Sequence, residues 1–355
     1  MTPEASSPSS HPALPPATKD LSVIIVNWNA AAYLPAALDA LFAAGEGLDM
    51  EVLLVDNASS DGSLGLVQAR YPQVQVIANE VNRGFAAGNN QGMRRARGRY
   101  ILLLNPDTEL PPDALTRFTA FMDAHPRAGV AGPRLQGPAG KIQGGAAGHD
   151  PSLSTIFNFA TFLYRLFPRR FRGLWLARSL YEGEEPIDVD WVSGACMFLR
   201  REAIETAGMM NERYFMYSED VELCRRVRNA GWRIVCLPDI RVTHHIGGSS
   251  RQLGPEFYAH NIDSLDLDLR TRYNPVQVAL MHLIAAFGYG LRMLFYEFYY
   301  QRKGFPILRD LSHLWRACLV TSLTRMFQPA SVVTPGHSND PYDAKAKVKM
   351  QNAKR

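Results

Sequence analysis

Four short polar clusters carry the side chains able to do chemistry. Asn105-Pro106-Asp107 puts a carboxylate directly after an apolar run, Tyr100 to Leu104. A hard cation such as Mg²⁺ or Mn²⁺ keeps several waters and takes one or two protein carboxylates plus phosphate oxygens, which makes Asp107 a candidate ligand. The same stretch, Asn-Pro-Asp-Thr, also makes a good turn. Asp56-Asn57 closes a second apolar run; its carboxylate suits a ribose hydroxyl or a base imide, or caps the next helix together with Ser59. Glu219-Asp220 opens a helix after Tyr214-Phe215-Met216-Tyr217. One of the pair suits a general base for a hydroxyl nucleophile; alternatively both acids simply complement the helix dipole. Arg225 and Arg226 follow on that helix as candidate partners for them. His244-His245 offers a further metal ligand, although a single histidine is more often structural.

These clusters need elements to position them. Leu21 to Val26, Glu51 to Val55, Val74 to Ala78 and Tyr100 to Leu104 are short apolar runs that read as buried strands. Helical segments separate them: Ala30 to Ala44, a helix ending near Arg70, and Gly84 to Arg97. Strands alternating with helices imply a mostly parallel sheet with right-handed crossovers. Asn27-Trp28-Asn29, Asp56-Asn57 and Asn105-Pro106-Asp107 all fall at carboxyl ends of strands, where open α/β sheets bind ligands. They should therefore converge on one cleft. Gly84, Gly88 and Gly92 share one helix face, each at a cost of ~1 kcal/mol relative to alanine, so a sheet or a ligand must come close there. Asn82, Arg83, Asn89 and Asn90 surround the start of that helix and suit phosphate or sugar hydroxyls, or ordinary surface. Pro111 to Ala124 reads as a helix, glycine-rich Gly129 to Gly148 as loops, Val189 to Leu199 as a strand, and Glu219 to Ala230 as a helix. Trp232 to Leu237 and Arg241 to His245 read as two strands, and the pattern turns all-helical after about Pro255.

With 355 residues, 46% apolar and 20% charged, the chain can bury a sizeable core. A net charge of +4 gives no reason to expect a nucleic-acid partner. The four cysteines form no CxxC pair and no zinc spacing, as expected of reduced core thiols. The N-terminus lacks the apolar core of a signal peptide. The expected organisation is a disordered leader over 1–19, a catalytic α/β domain over 20–254, a helical region over 255–327 and a disordered basic tail over 328–355.

Taken in order, these segments resemble glycosyltransferase family 2, the inverting transferases of GT-A fold, and within it the rhamnosyltransferase-like branch. The resemblance rests on Val26-Asn27-Trp28-Asn29, Val55 to Gly62, Asn82-Arg83-Gly84-Phe85-Ala86-Ala87-Gly88-Asn89-Asn90, Leu103 to Thr108, Ser193-Gly194-Ala195, Ser218-Glu219-Asp220-Val221-Glu222-Leu223-Cys224, Gly231-Trp232, and the His244 segment with Gly247-Gly248-Ser249. Each motif is weak alone; the ordered set is specific. The implied fold is a Rossmann-like, mostly parallel sheet flanked by helices, with a C-terminal helical extension. By the same resemblance, Asp56 contacts the nucleotide near Asn27, Asn29 and Asn57, and Asn82, Arg83, Gly84, Asn89 and Gly194 belong to the donor site. Asp107 matches the metal-binding aspartate of the family's DxD motif, with Asn105 in place of the first acid. Asp220 matches the catalytic base, with Glu219 beside it. His244 matches the metal-contacting histidine, with His245 a substitute.

The implied reaction moves a sugar, L-rhamnose from dTDP-rhamnose as first choice, to a hydroxyl of a polysaccharide or lipid-linked glycan, with Mn²⁺ or Mg²⁺ as cofactor. A sugar nucleotidyltransferase is the competing enzyme, but Asn27-Trp28-Asn29 stands where its glycine-rich basic loop belongs. A catalytically silent nucleotide-sugar binder is the non-enzyme alternative; a dehydrogenase lacks its GxGxxG. The aromatic and basic stretch Phe157 to Trp175 lies beside the acceptor or is a packing element. Val276 to Leu291 carries no formal charge but falls short of the ~20 residues of a span. It reads as a buried or interfacial helix. With Phe295, Tyr296, Phe298, Tyr299, Tyr300, Arg302 and Lys303, it suits peripheral attachment at the cytoplasmic membrane face, or a homodimer interface.

Overall fold

The computed structural model describes residues 14–245 and 255–331, the side chains of 255–260 excepted. Residues 1–13, the Gly247-Gly248-Ser249 motif and residues 332–355 lie outside it. In chain order the elements are β1 (Lys19–Asn27), α1 (Leu34–Ala44), β2 (Met50–Asn57), α2 (Ser63–Arg70), β3 (Gln75–Asn79), α3 (Phe85–Met93) and β4 (Gly98–Leu104). Next come β5 (Thr108–Glu109), α4 (Ala114–Ala124), β6 (Ala128–Gln136), β7 (Ala147–Gly148), α5 (Leu153–Ala160) and α6 (Leu163–Leu166). Then follow β8 (Ile187–Val189), β9 (Trp191–Val192), β10 (Cys196–Arg200), α7 (Arg201–Ala207), α8 (Glu219–Asn229) and β11 (Arg233–His244). Helices α9 (Pro255–Arg272), α10 (Pro275–Lys303) and α11 (Pro306–Arg325) end the described chain.

The strands β3-β2-β1-β4 run parallel, as alternating strands and helices require. Beyond them β10 inserts antiparallel between β4 and β6, and β11 continues parallel to β6. The centre of the sheet reads as unbroken apolar runs because helices cover it: Val23, Ile24, Ile25, Leu53, Leu54, Ile101, Leu102 and Leu103 are all fully buried. Removing each such side chain from water is worth about 1.5–3 kcal/mol. Gly88 and Gly92 let α3 lie against β1, where added Cβ atoms would meet Val26 at 2.9 Å and Ile24 at 2.5 Å. Their shared face serves the sheet.

Three expectations need correction. Gly129 to Gly148 is not all loop, for it begins with β6, a buried strand. Its glycines mimic a loop, yet a Cβ at Gly132 would stand 2.6 Å from Val192, so the strand is glycine-bearing because β9 crosses close by. Val189 to Leu199 is three strands rather than one, broken at Ser193-Gly194-Ala195. The two strands expected between Trp232 and His245 are one irregular strand, β11, whose register with β6 shifts between Leu237 and Arg241. At the expected leader, Leu14 packs on the core, the Pro15 carbonyl accepts from Arg201 at 2.8 Å, and Lys19 already belongs to β1.

A second, smaller core joins α5, α9, α10 and α11 through Ile156, Phe159, Leu269, Val278, Met281, Tyr289 and Cys318. Buried polar groups tie it together. His282 Nε2 lies 2.9 Å from Asp266 and its Nδ1 3.1 Å from Ser322 Oγ. The helical region is fastened to the α/β domain by ion pairs: Asp268, fully buried, receives Arg225 of α8 and Arg272, and Arg225 also reaches Asp150 at 2.8 Å.

Candidate active site

The carboxyl ends of β1, β2 and β4 open into a cleft of about 290 Å³. Asn105, Asp107 and His244 line it, and so do Gly194, Glu219 and Asp220. Asp107 and Asp220 thus face one space, although 113 positions of numbering separate them (220 minus 107).

The Asp107 side is built by β4, β5 and the end of β11. The Asn105 amide donates to the Ala195 carbonyl at 2.9 Å, and Thr108 Oγ1 donates to the Asn105 carbonyl at 2.6 Å, so the turn reading of this motif also holds. Asp107 is buried, with His244 Nε2 at 3.4 Å from its Oδ1. The other ring nitrogen of His244 meets Gln143 Oε1 at 3.0 Å, while Gln143 Nε2 donates to the His244 carbonyl at 2.5 Å. A histidine whose far nitrogen is fixed in this way is the usual form of an oriented metal ligand. His245 turns away, with Nε2 at 2.5 Å from Glu109 and its ring beside Tyr33. Among the described residues there is no cluster of three or more metal-ligating side chains. One carboxylate and one imidazole nevertheless fit a hard cation whose remaining positions go to diphosphate and water.

The placement of Glu219 and Asp220 depends on a strained turn. Tyr217 and Ser218 have φ of 72° and 65°, a left-handed pair that costs on the order of 1–3 kcal/mol each. The turn is clamped from both sides: the Phe85 amide donates to the Phe215 carbonyl at 2.7 Å, and Ser264 Oγ of α9 donates to the Met216 carbonyl at 2.8 Å. Gly84 makes the first clamp fit, since with φ of 83° any Cβ there would lie 2.5 Å from the Phe215 carbonyl. The turn delivers Glu219 and Asp220 at the first positions of α8. Asp220 accepts from the Gly194 amide at 3.0 Å and the Val221 amide at 2.8 Å. Burial still raises its pKa above the ordinary carboxylate range, with those amides opposing the shift. Glu219 is pushed well above that range by burial and then by Asp220, and its Oε2 is buried with no hydrogen-bond partner among the described residues. The expected pairing of Arg225 and Arg226 with these acids does not occur. Arg225 goes to Asp150 and Asp268, while Arg226 goes to Glu222 and the carbonyls of Gly208 and Met209.

The raised Glu219 fixes the sign of a pH effect. The folded state binds its proton more tightly than the unfolded chain, so stability falls as pH rises from the unfolded pKa toward the raised folded one. Glu219→Gln should therefore raise the melting midpoint at neutral pH, by roughly 2–4 °C for each kcal/mol recovered. The difference should close at about pH 4, near the unfolded pKa. Melting curves of both proteins from pH 4 to pH 8 check this; an unchanged or lowered midpoint at neutral pH would contradict the buried-acid account.

The remaining sequence candidates divide into two groups. Asn57, Asn82, Gly84, Asn105 and Gly194 line the cleft. Asn27, Asn29, Asp56, Arg83 and Asn89 are not part of that wall. Asn27 Nδ2 donates to Asp56 at 2.7 Å and approaches Ser63 Oγ at 2.8 Å, the Ser59 amide donates to Asp56 at 3.0 Å, and Asn29 Oδ1 accepts from the Ser60 amide at 2.8 Å. That cluster fixes the loop after β2 next to Asn57. Asn89 donates to the Phe85 carbonyl at 3.0 Å, and Asn90 bonds Met210 and Glu212. Trp28, from the Asn27-Trp28-Asn29 cluster, lines the cleft, and sequence reasoning missed Gln143, Tyr217 and Asn261, which line it too. Asn261 comes from α9, so the helical region contributes to the site.

Residues 22–208 match the family model described as Glycosyl transferase family 2. The N-acetylglucosaminyl-diphospho-decaprenol L-rhamnosyltransferase of Mycobacterium tuberculosis is 32% identical over 241 residues, 64% of this chain and 76% of that one. The O-antigen biosynthesis protein RfbC of Myxococcus xanthus is 27% identical over 238 residues, 66% of this chain and 18% of that one. Among solved structures, a mannosyltransferase from Pyrobaculum calidifontis in complex with GDP-Man and Mn²⁺ superposes with a TM-score of 0.55. It is 16% identical and covers 89% of this chain and 90% of its own, a likeness of fold. The fold is that of the GT-A transferases, a mostly parallel mixed sheet flanked by helices with a C-terminal helical region. The chain belongs to glycosyl transferase family 2 and is a glycosyltransferase.

Proposed function

We propose that the protein is an inverting, metal-dependent rhamnosyltransferase that takes L-rhamnose from dTDP-rhamnose to a hydroxyl of a lipid-linked glycan. The observation that carries the reading is the single cleft faced by Asp107 with His244 and by Glu219 with Asp220. The M. tuberculosis relative supports the choice of sugar and acceptor. Asn57, Asn82, Gly84, Asn105 and Gly194 line the donor's path, with the Asn27–Asp56 cluster holding the loop beneath it. Asp107 and His244 hold a divalent cation, Mn²⁺ or Mg²⁺, which when bound supplies positive charge to the departing diphosphate. Asp220 takes the proton of the acceptor hydroxyl as that oxygen bonds to the anomeric carbon. The bond from that carbon to the diphosphate oxygen breaks, and the nucleoside diphosphate leaves with the electron pair. One displacement inverts the configuration. Glu219, whose pKa burial and Asp220 raise, offers its Oε2 to a sugar hydroxyl.

Membrane attachment completes the reading. Helix α10 is the one helix among the described residues long and apolar enough to cross a bilayer by length and composition, and it is part of the second core. Its outer face exposes Val276, Leu280, Leu283, Phe287, Leu291, Leu294 and Phe298, a stripe of roughly 33 Å at 1.5 Å per residue. Arg302 and Lys303 stand at its end. An apolar face with aromatic and basic residues at its end suits the cytoplasmic leaflet. A nucleotide-sugar panel in Mn²⁺ and Mg²⁺, scored by transfer to a prenyl-diphosphate-linked N-acetylglucosamine, tests the assignment. dTDP-rhamnose should be the preferred donor, and transfer from UDP-hexoses alone would overturn the choice of sugar. Pyrophosphate release from a sugar phosphate and a nucleoside triphosphate would make the protein a nucleotidyltransferase instead.

A further inference from the structure

A second cavity, of about 590 Å³, lies between the α5–α6 segment and helices α10 and α11. Its walls are aromatic to an unusual degree, with Phe159, Phe162, Trp175, Phe295, Tyr296 and Trp315 all facing it. Three arginines face it as well: Arg165, Arg178 and Arg292. None of the three has a carboxylate partner among the described residues. Arg292 is only 6% exposed. Its guanidinium donates to the carbonyls of Gly288 at 2.9 Å and Phe159 at 2.6 Å, and it lies over the rings of Phe162, Phe159 and Trp315 at 4.1, 4.3 and 5.5 Å. These contacts satisfy its N–H groups but leave its charge without a counter-ion, and a buried charge is costly unless neutralised. Arg165 and Arg178 are exposed at the cavity and equally unpaired.

Two further observations place this cavity on a route. Gly144 lines both it and the catalytic cleft, so the two spaces share a wall. Leu291 and Phe295, which also line it, are 38% and 54% exposed on the outer face of α10. The cavity therefore lies against the catalytic cleft at Gly144 and against the exposed residues of α10 at Leu291 and Phe295. A ligand suited to all three regions has an apolar chain for the aromatic walls, an anionic head for the uncompensated arginines, and a hydroxyl-bearing group directed past Gly144.

We propose that this cavity is the binding site for a prenyl diphosphate, the lipid and phosphate portion of the acceptor. The inference rests on the lipid-linked acceptor of the proposed function and adds the residues that recognise it. The aromatic rings take the first isoprenoid units at the membrane surface. Arg165 and Arg178 meet the diphosphate, and Arg292 adds fixed positive charge behind them. The sugar on the far side of the diphosphate then reaches Asp220.

Binding of farnesyl diphosphate to the full chain, followed by tryptophan fluorescence from Trp175 and Trp315 and by titration calorimetry, tests this directly. Farnesol and inorganic diphosphate are the comparison probes, all in the presence of saturating nucleoside diphosphate to fill the donor site. Farnesyl diphosphate should bind at least about tenfold more tightly than either comparison probe. Arg165→Gln/Arg178→Gln should bring it to the level of farnesol, with circular dichroism showing the fold retained. Equal binding of inorganic diphosphate would reduce the cavity to a simple anion site, and equal binding of farnesol would reduce it to an apolar one; either overturns the proposal. If the double variant fails to fold, the comparison of the three probes on the wild type still decides. Failure of the donor panel with intact farnesyl diphosphate binding would sink the rhamnosyl assignment and leave this site standing. The reverse pattern would sink the site alone.

Discussion

Asp220→Asn should bind nucleotide sugar as tightly as the wild type and lose transfer by ~10²–10⁴-fold, the range that general-base help supplies. The substitution keeps the shape but only one of the two acceptor oxygens: one of the Gly194 and Val221 amides keeps its partner, while the other faces an NH2 that cannot accept. It removes the ability to take a proton at the cost of that one backbone contact. The loss should therefore fall on kcat, with the donor Kd unchanged. In the wild type, burial raises the Asp220 pKa. A base must be deprotonated to act, so kcat should fall as pH drops through that raised pKa, placing the acid limb of the profile above the usual carboxylate range. Asp220→Asn should lack this limb. Full transfer activity in the variant would move the base to another group, with Glu219 the nearest candidate.

The legible parts of this protein were those governed by local pattern. Strands β1 to β4 are continuous apolar runs closed by polar residues, and their ends converge because a parallel sheet puts all its carboxyl termini on one edge. Strand β6 was hidden because Gly129 and Gly132 yield to long-range neighbours, Trp232 and Val192, that no local window contains. The roles of the asparagines also needed coordinates. Asn27, Asn29 and Asn57 sit at equivalent strand ends, yet only Asn57 faces the cleft, while the other two hold the loop after β2. Gln143 had no signal in the sequence at all; its value lies in fixing a histidine 101 positions away. Asn261 was overlooked because α9 read as part of an appendage.

That helix is joined to the site more closely than its place in the chain implies. Ser264 holds the Met216 carbonyl, and Asp268 holds Arg225 on the helix that Glu219 and Asp220 begin. The strained turn at Tyr217 and Ser218 is thus braced from α3 on one side and α9 on the other. Strain of this kind persists only where the surroundings over-determine it. The helical region therefore links the apolar outer face of α10 to the position of the proposed base.

Asp107→Ala should behave differently from Asp220→Asn in a way that separates the two carboxylates. A divalent cation together with nucleoside diphosphate should stabilise the wild type by RT ln(1 + [L]/Kd), about 2.7 kcal/mol at a hundredfold excess over Kd. For a domain of this size that is a rise of roughly 5–10 °C in melting midpoint, at about 2–4 °C per kcal/mol. Asp107→Ala should abolish the rise, whereas Asp220→Asn should retain it. Transfer should fall by on the order of 10²–10³-fold in kcat, the usual loss when one electrostatic stabiliser of a developing charge is removed. Gln143→Ala leaves both ligands in place and frees the far nitrogen and the carbonyl of His244, so its cost in metal affinity should be smaller, about 10–100-fold. Manganese titration followed by electron paramagnetic resonance reads these affinities without any turnover. Wild-type Mn²⁺ affinity in Asp107→Ala would remove Asp107 from the cation's shell and, with it, the physical reason for a buried acid facing His244 at 3.4 Å.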